Sequence, residues 1–218
     1  EMIDQYGAIQ SYEFEDQYMV SAPVATVANV DMNVVYKGYD NRMEISVPGV
    51  AASQLRVSAT GASMTKSGNQ YICKPTADRE ITISVSAEID GKVQTVGQKK
   101  YRVRPVPSPT AFLRLSNNEL YNPDLEGVKL KRRDLYSSTV VAEYADGMLN
   151  ANFTVKQFTL YIQQGAGWDN LTVKGNKLTD KEIDRLKKLK AGQKFYFGDI
   201  RYTGPKSGKL SMGMIDMP

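Results

Sequence analysis

The stretch Arg104-Pro105-Val106-Pro107-Ser108-Pro109 limits the possible folds of this chain more than any other feature. Three prolines in five residues remove backbone donors and force extended geometry, so the run is unsuited to a central strand. It reads as a stiff linker that divides the chain and constrains the orientation of what lies on either side. Length agrees, because 218 residues at roughly 100 per all-β unit make two domains, each able to bury a core.

The first half reads as strands. Ile81, Ile83, Val85, Ala87 and Ile89 alternate strictly with Thr82, Ser84, Ser86 and Glu88, the period-2 signature of a half-buried antiparallel strand. Asp90-Gly91 follows at once and supplies the two positive-φ positions of a type I′ turn, so Lys92 to Val103 is predicted to return as a hairpin. Shorter β-prone runs lie at Tyr12 to Val20, Thr26 to Tyr36, Met43 to Val47, Gln54 to Ala59 and Gln70 to Lys74. Short strands at this spacing predict an Ig-like β-sandwich over residues 20–106, with 1–19 as the end of a preceding domain or a lead-in strand.

Residues 107–218 are predicted to form a β-rich domain with one helix, making the whole mainly β with two tandem domains. Phe153 and Val155 share one phase while Phe158, Leu160 and Ile162 share the other, so a continuous strand needs a bulge near Lys156-Gln157. Thr179-Asp180-Lys181-Glu182 spells a capping box. Ile183, Leu186 and Leu189 follow at helical spacing, and Gly192 stands where a terminating glycine belongs, predicting a helix over about 180–191. Phe195-Tyr196-Phe197 and Leu210 to Ile215 return to strand.

Composition removes whole classes of chemistry. There is no histidine and one cysteine, so a Ser-His-Asp triad, a Cys-His pair, a zinc site with histidine and an internal disulfide are all excluded. Ser63-Met64-Thr65-Lys66, Ser116-Asn117-Asn118 and Lys206-Ser207-Gly208 match the S-x-x-K, S-x-N and K-[ST]-G patterns of penicillin-recognising serine enzymes in order. Their setting is wrong, because Gly61 and Gly68-Asn69 make 63–66 a connection between strands where a helix N-terminus is required. Phosphate loops and calcium loops are absent, and Cys73, alternating between Ile72 and Lys74, reads as a small buried hydrophobe. No catalytic, cofactor-binding or metal-binding residue is assigned, and the chain is read as a non-enzyme.

The net charge of +4 is uneven: residues 1–109 hold 11 Lys and Arg against 12 Asp and Glu, and the remainder holds 17 against 12. Lys129, Lys131, Arg132 and Arg133 form one basic cluster. Lys181, Arg185 and Lys188 fall at i, i+4 and i+7 on one helix face and form another. Either could steer an acidic protein partner, and each could equally be a solvated face. Nucleic acid fits poorly, since no aromatic stacking platform accompanies the lysines. Trp168, beside Gly165-Ala166-Gly167, is placed in a hairpin or surface loop, as a partner anchor or a core cap.

The segment from Asn33-Val34-Val35-Tyr36-Lys37-Gly38-Tyr39-Asp40-Asn41-Arg42 to Pro48-Gly49-Val50 resembles the periplasmic region of GldM/PorM-type proteins, motor subunits of gliding motility and type IX secretion. Phe153-Thr154-Val155 through Phe158-Thr159-Leu160, then Leu189 to Ile200 and Gly204-Pro205, resemble the C-terminal domain of that family in the same order. Arg42, where proline is expected, and Lys206-Ser207-Gly208, where Asp-Gly is usual, depart from the pattern. Tyr36, Gly38, Asn41, Pro48 and Gly49 carry the match and read chemically as turn and core determinants.

The resemblance implies a non-enzymatic, homodimeric periplasmic shaft without cofactors. It implies anchorage in the inner membrane through a segment outside this chain, where a proton-motive-force-driven motor partner sits. Its distal end would meet an outer-membrane-associated ring that includes a lipoprotein. The partner-binding candidates are Lys181, Arg185, Lys188, Trp168, Lys129, Lys131, Arg132 and Arg133. A carbohydrate-binding or adhesin-like tandem of β-domains is the alternative, and a hydrolase using a carboxylate pair is the remaining rival class.

Overall fold

The computed structural model describes residues 2–3, 9–10, 15, 32–89, 91–145, 147 and 149–218. Apart from Glu15 and residues 32–36, the strands expected over 12–20 and 26–36 lie outside these residues, as does Asp90 of the expected turn. A short antiparallel pair, β1 (Met2–Ile3) and β2 (Ile9–Gln10), stands at the start.

The first domain is a two-sheet sandwich. It contains β3 (Val34–Lys37), β4 (Asn41–Met43), β5 (Leu55–Thr60), β6 (Ala62–Ser67), β7 (Gln70–Pro75), β8 (Glu80–Ile89) and β9 (Lys92–Pro105). One sheet runs β3-β9-β8-β5 and the other β4-β7-β6. The predicted hairpin is present: Ile89 pairs with Lys92, and Gly91 has φ 72°. Alternation delivers Ile81 and Ile83 to a core shared with Val35, Cys73 and Val103 from both sheets, where each large apolar side chain removed from water contributes about 1.5–3 kcal/mol. β3 lies parallel to the end of β9, pairing Val34 with Arg102 and Lys37 with Pro105. Residues 63–66, expected to connect strands, instead lie inside β6, because they pair with β7 from Ala62 to Ser67 across the Gly68-Asn69 turn.

The second domain adds β10 (Thr110–Arg114), β11 (Leu120–Tyr121), α1 (Arg132–Tyr136), β12 (Thr139–Glu143), β13 (Thr154–Gln164), β14 (Gly167–Lys174), α2 (Asp180–Lys187), β15 (Lys194–Thr203), β16 (Gly208–Leu210) and β17 (Ile215–Asp216). A three-stranded sheet, β11-β10-β12, and a five-stranded sheet share a single core. In the larger sheet the order is β14-β13-β15-β16, with β17 also on β15. Leu113, Val140, Phe158, Leu160, Phe195 and Phe197 meet in that core, each 1% exposed or less.

The phase conflict along β13 is resolved as the sequence requires. Register shifts fall between Val155, Gln157 and Thr159, and Val155, Phe158, Leu160 and Ile162 are all buried. β15 opposite solves the same problem at Asp199, whose φ of 44° lets Phe197 and Ile200 both point inward. Phe153 lies just before β13, between Tyr144 and Tyr202 at ring separations of 5.4 and 5.5 Å.

Helix α2 opens on the predicted capping box: the Thr179 N–H donates to the Glu182 carboxylate at 2.9 Å, and the Thr179 hydroxyl donates to it as well. Its end differs from expectation. The helix stops at Lys187 with Lys188 as C-cap, and Gly192, φ 79°, shapes the approach to β15, its N–H donating to the Met217 carbonyl at 2.9 Å. The early stop leaves Leu189 free to enter the core from a turn, where it is 8% exposed. The five-residue α1 was not foreseen, because Leu135 is its one buried side chain.

The proline run is more than a linker. β9 continues into Pro105 and β10 begins at Thr110, while Val106 and Pro109 are buried. Tyr144 donates its hydroxyl to the Pro107 carbonyl at 2.6 Å, and Lys206 Nζ donates to Ser108 Oγ at 3.1 Å. The β3–β4 turn of the first domain also touches the second. Tyr39 donates to the Asn150 carbonyl at 3.4 Å, and a Cβ at Gly38 would stand 3.0 Å from the Pro205 carbonyl oxygen.

Candidate partner-binding surfaces

The cations of α2 do not act as a set. Arg185 forms an ion pair with Asp169 of β14, whereas Lys181 and Lys188 make no ion pair among the described residues. Of the expected inward face, Leu186 is fully buried and Glu182 is buried by its capping role, while Ile183 is only half-buried. Lys188 and Arg185 border a cleft of about 380 Å³ with Gln163, Gln164, Leu189 and Gln193. Its lining of one unpaired ammonium, one compensated guanidinium and three amides suits an anionic or strongly polar ligand group rather than an apolar one.

The second basic cluster is broken up further. Lys131 is the N-cap of α1, Arg132 Nε donates to the Pro218 carbonyl at 2.6 Å, and Arg133 leans on Asp134 at 3.4 Å. Lys129 is exposed in the preceding loop. Arg132 is thus tied to the chain's own backbone, leaving Lys129, Lys131 and Arg133 as the outward charges.

Trp168 is not in a loop. It is the second residue of β14, because the Gly165-Ala166 turn is only two residues long and Gln164 pairs with Gly167 across it. The indole is 42% exposed and meets Tyr196 edge-on at 5.2 Å. Tyr196 in turn stacks on its cross-strand partner Tyr161, with ring centroids 4.5 Å apart and planes inclined by 5°. Both rings overhang Gly198, where a Cβ would lie 2.9 Å from each. Tyr161 donates its hydroxyl to Asp199 Oδ2 at 2.8 Å, and Lys209 reaches Asp199 Oδ1 at 3.5 Å. The Tyr161 hydroxyl, followed by Lys209, holds the Asp199 carboxyl below its usual range, and the Asp199 bond in turn pushes the Tyr161 phenol up. This cluster was missed in the sequence. The outward phase of Tyr161 and Tyr196, opposite to Leu160, Phe195 and Phe197, was the available signal.

The domain family described as GldM third domain matches residues 24–104, and the one described as GldM C-terminal domain matches residues 107–216. The chain belongs to the GldM family. A search of curated proteins returns no match. The GldM assignment makes the chain a gliding-motility and type IX secretion component, of a structural and periplasm-facing family. No helix among the described residues is long and apolar enough to cross a membrane. The residues that carried the resemblance serve the GldM fold: Asn41 is buried in four hydrogen bonds, and Gly38 and Gly49 have positive φ.

Proposed function

We propose that this GldM-family chain is the distal part of a non-enzymatic periplasmic shaft. It works as a homodimer that links a proton-motive-force-driven motor at the inner membrane to an outer-membrane-associated ring containing a lipoprotein, and passes energy for secretion across the periplasm. The observation that supports this reading is the braced junction. Linker backbone, the Gly38 turn and the Pro205-Lys206 turn are in mutual contact, so displacement of one domain is handed to the other. The ring proteins dock on the second domain through its outward cations, Lys181 and Lys188 with the cleft beside them, and Lys129, Lys131 and Arg133 as a second site.

The deciding experiment replaces Lys181 and Lys188 by Glu, verifies an unchanged melting temperature, and measures capture of the ring proteins at two salt concentrations. Capture should fall in the variant and weaken with salt in the parent, because exposed charges are screened beyond about 8 Å at physiological ionic strength. Undiminished capture that still weakens with salt moves the contact to the Lys129, Lys131 and Arg133 side, and salt-independent capture rules out both cation clusters.

A further inference from the structure

The outer face of the five-stranded sheet carries a group of side chains that, apart from Gln163 at the rim of the cleft beside Lys188, the cation clusters do not use. Strand alternation and register bring Trp168, Asn170 and Thr172 of β14, Gln163, Tyr161 and Thr159 of β13, and Tyr196 and Gly198 of β15 to one surface. We propose that this face binds a neutral glycan, a chain of β-linked N-acetylhexosamines that rests on the rings of Trp168, Tyr161 and Tyr196.

Charge argues for a neutral occupant. Beside the rings, Lys209 faces Asp199, which Arg201 also approaches, and Lys194 bonds Asp216 at 2.7 Å, so carboxylates answer most of the cations there. What remains exposed is aromatic and amide, together with the Thr172 hydroxyl, which meets that of the buried Thr159 at 3.2 Å. Sugar rings offer weakly positive C–H faces to the negative face of an aromatic ring and hydroxyls to amides and carboxylates. An acetamido group adds a donor, an acceptor and a methyl, a match for Gln163, Asn170 and the indole.

Preorganisation argues for a built surface. Gly198 is buried beneath the two tyrosines, so their placement depends on the absence of a side chain there. The Tyr161 hydroxyl is fixed by Asp199, itself at φ 44°, an unfavourable backbone position for a non-glycine residue of the kind that collects at functional sites. Size favours a saccharide over a protein. A stable protein interface covers about 800 Å² per partner, whereas here three rings form a cluster flanked by short polar side chains. The preference for N-acetylhexosamines among neutral glycans rests on the periplasm-facing reading above, since that compartment holds the cell-wall glycan. Binding of a neutral glycan to the rings does not depend on it.

Trp168 is the only tryptophan in the chain, so its emission reports on this face alone. Chitohexaose titrated into the purified chain should shift that emission saturably. Tyr161→Ala, Tyr196→Ala and Gly198→Ala, each checked for an unchanged melting temperature, should weaken binding by about tenfold or more by calorimetry. Cell-wall sacculi should pellet the parent and not the variants, and cello-oligosaccharide in place of chitohexaose tests the acetamido preference separately from the aromatic contact. No emission change and no heat with either oligosaccharide would overturn the proposal, as would affinity unchanged in all three variants. If the variants lose self-association or ring-protein capture while no saccharide binds, the face is a protein interface and the glycan proposal fails.

Discussion

Asn41 at the start of β4 donates from Nδ2 to the carbonyl oxygen of Cys73, 32 residues further on in β7, at 3.1 Å. The same amide also donates to the carbonyls of Tyr36 and Tyr39 at 2.9 and 3.0 Å, and its Oδ1 accepts the Tyr36 N–H at 2.8 Å. One 8% exposed side chain therefore closes the Gly38 turn and joins it to the second sheet. Removing it takes a donor from the carbonyls of Tyr36 and Cys73 and the acceptor from the Tyr36 N–H, while the Tyr39 carbonyl keeps the Asn41 backbone N–H at 3.1 Å. Asn41→Ala is expected to lower the stability of the first domain by about 2–4 kcal/mol, read as an earlier urea midpoint.

Gly38 has φ 78° and faces the Pro205 carbonyl. Gly38→Ala meets a left-handed backbone cost of about 1 kcal/mol and pushes against the second domain. Small-angle scattering should show the parent as an extended pair of fixed outline and the variant with a broadened distance distribution. An identical profile would mean that the linker contacts at Pro107 and Ser108 alone fix the joint.

The Tyr161–Asp199 pair has a defined pH response. Folding lowers the Asp199 pKa, so its contribution is present above the unfolded value of about 3.9 and fades as pH falls through the lower folded value. The Tyr161 phenol is raised, so its share is full below about 10 and is lost as pH rises through the folded value. Tyr161→Phe should return the Asp199 carboxyl toward its ordinary range, measurable by carbon NMR titration.

Arg185 and Lys188 should separate structure from recognition. The Arg185–Asp169 pair is partly exposed, with side chains 39% and 34% accessible, so Arg185→Ala should cost under about 1 kcal/mol. Lys188→Glu should leave the melting temperature unchanged and weaken capture of an acidic partner.

Self-association is expected at micromolar concentration. Among the described residues β9 is paired with β3 from Arg102 to Pro105, and residues 92–100 are exposed, with Val93 and Val96 53% and 39% accessible. An edge of this kind is a natural pairing surface. Sedimentation should give a dimer that Val93→Lys with Val96→Lys weakens, and a 24.2 kDa species alone would place dimerisation in other segments.

Period-2 alternation and turn chemistry made much of the fold legible, because they are local. The bulge at Lys156-Gln157 could be read from a switch of phase alone, and the matching switch from Phe197 to Ile200 was equally present but sat inside an otherwise regular Phe-Tyr-Phe alternation. The proline run announced a boundary but not that Val106 and Pro109 would be buried, since burial depends on the neighbouring domain. Of the candidate site residues, the sequence located the helix that carries Lys181 and Arg185 and is capped by Lys188. It could not show that Asp169, on a separate strand, neutralises Arg185. Trp168 was misplaced because its flanking glycines suggested a longer loop than the two-residue turn that pairing with β13 imposes.

The parallel pairing of β3 with the end of β9 has a mechanical meaning. The chain enters this pair at Val34 and leaves it at Pro105, and these two points lie at opposite ends of adjacent strands running the same way. Tension applied along the polypeptide therefore slides β3 past β9 in shear. Its bonds, including the Arg102 N–H to Asn33 carbonyl at 2.9 Å, must yield together and cannot peel apart one after another. Pulling the first domain by its two ends should thus meet an abrupt rupture force, where an antiparallel closure would unzip gradually.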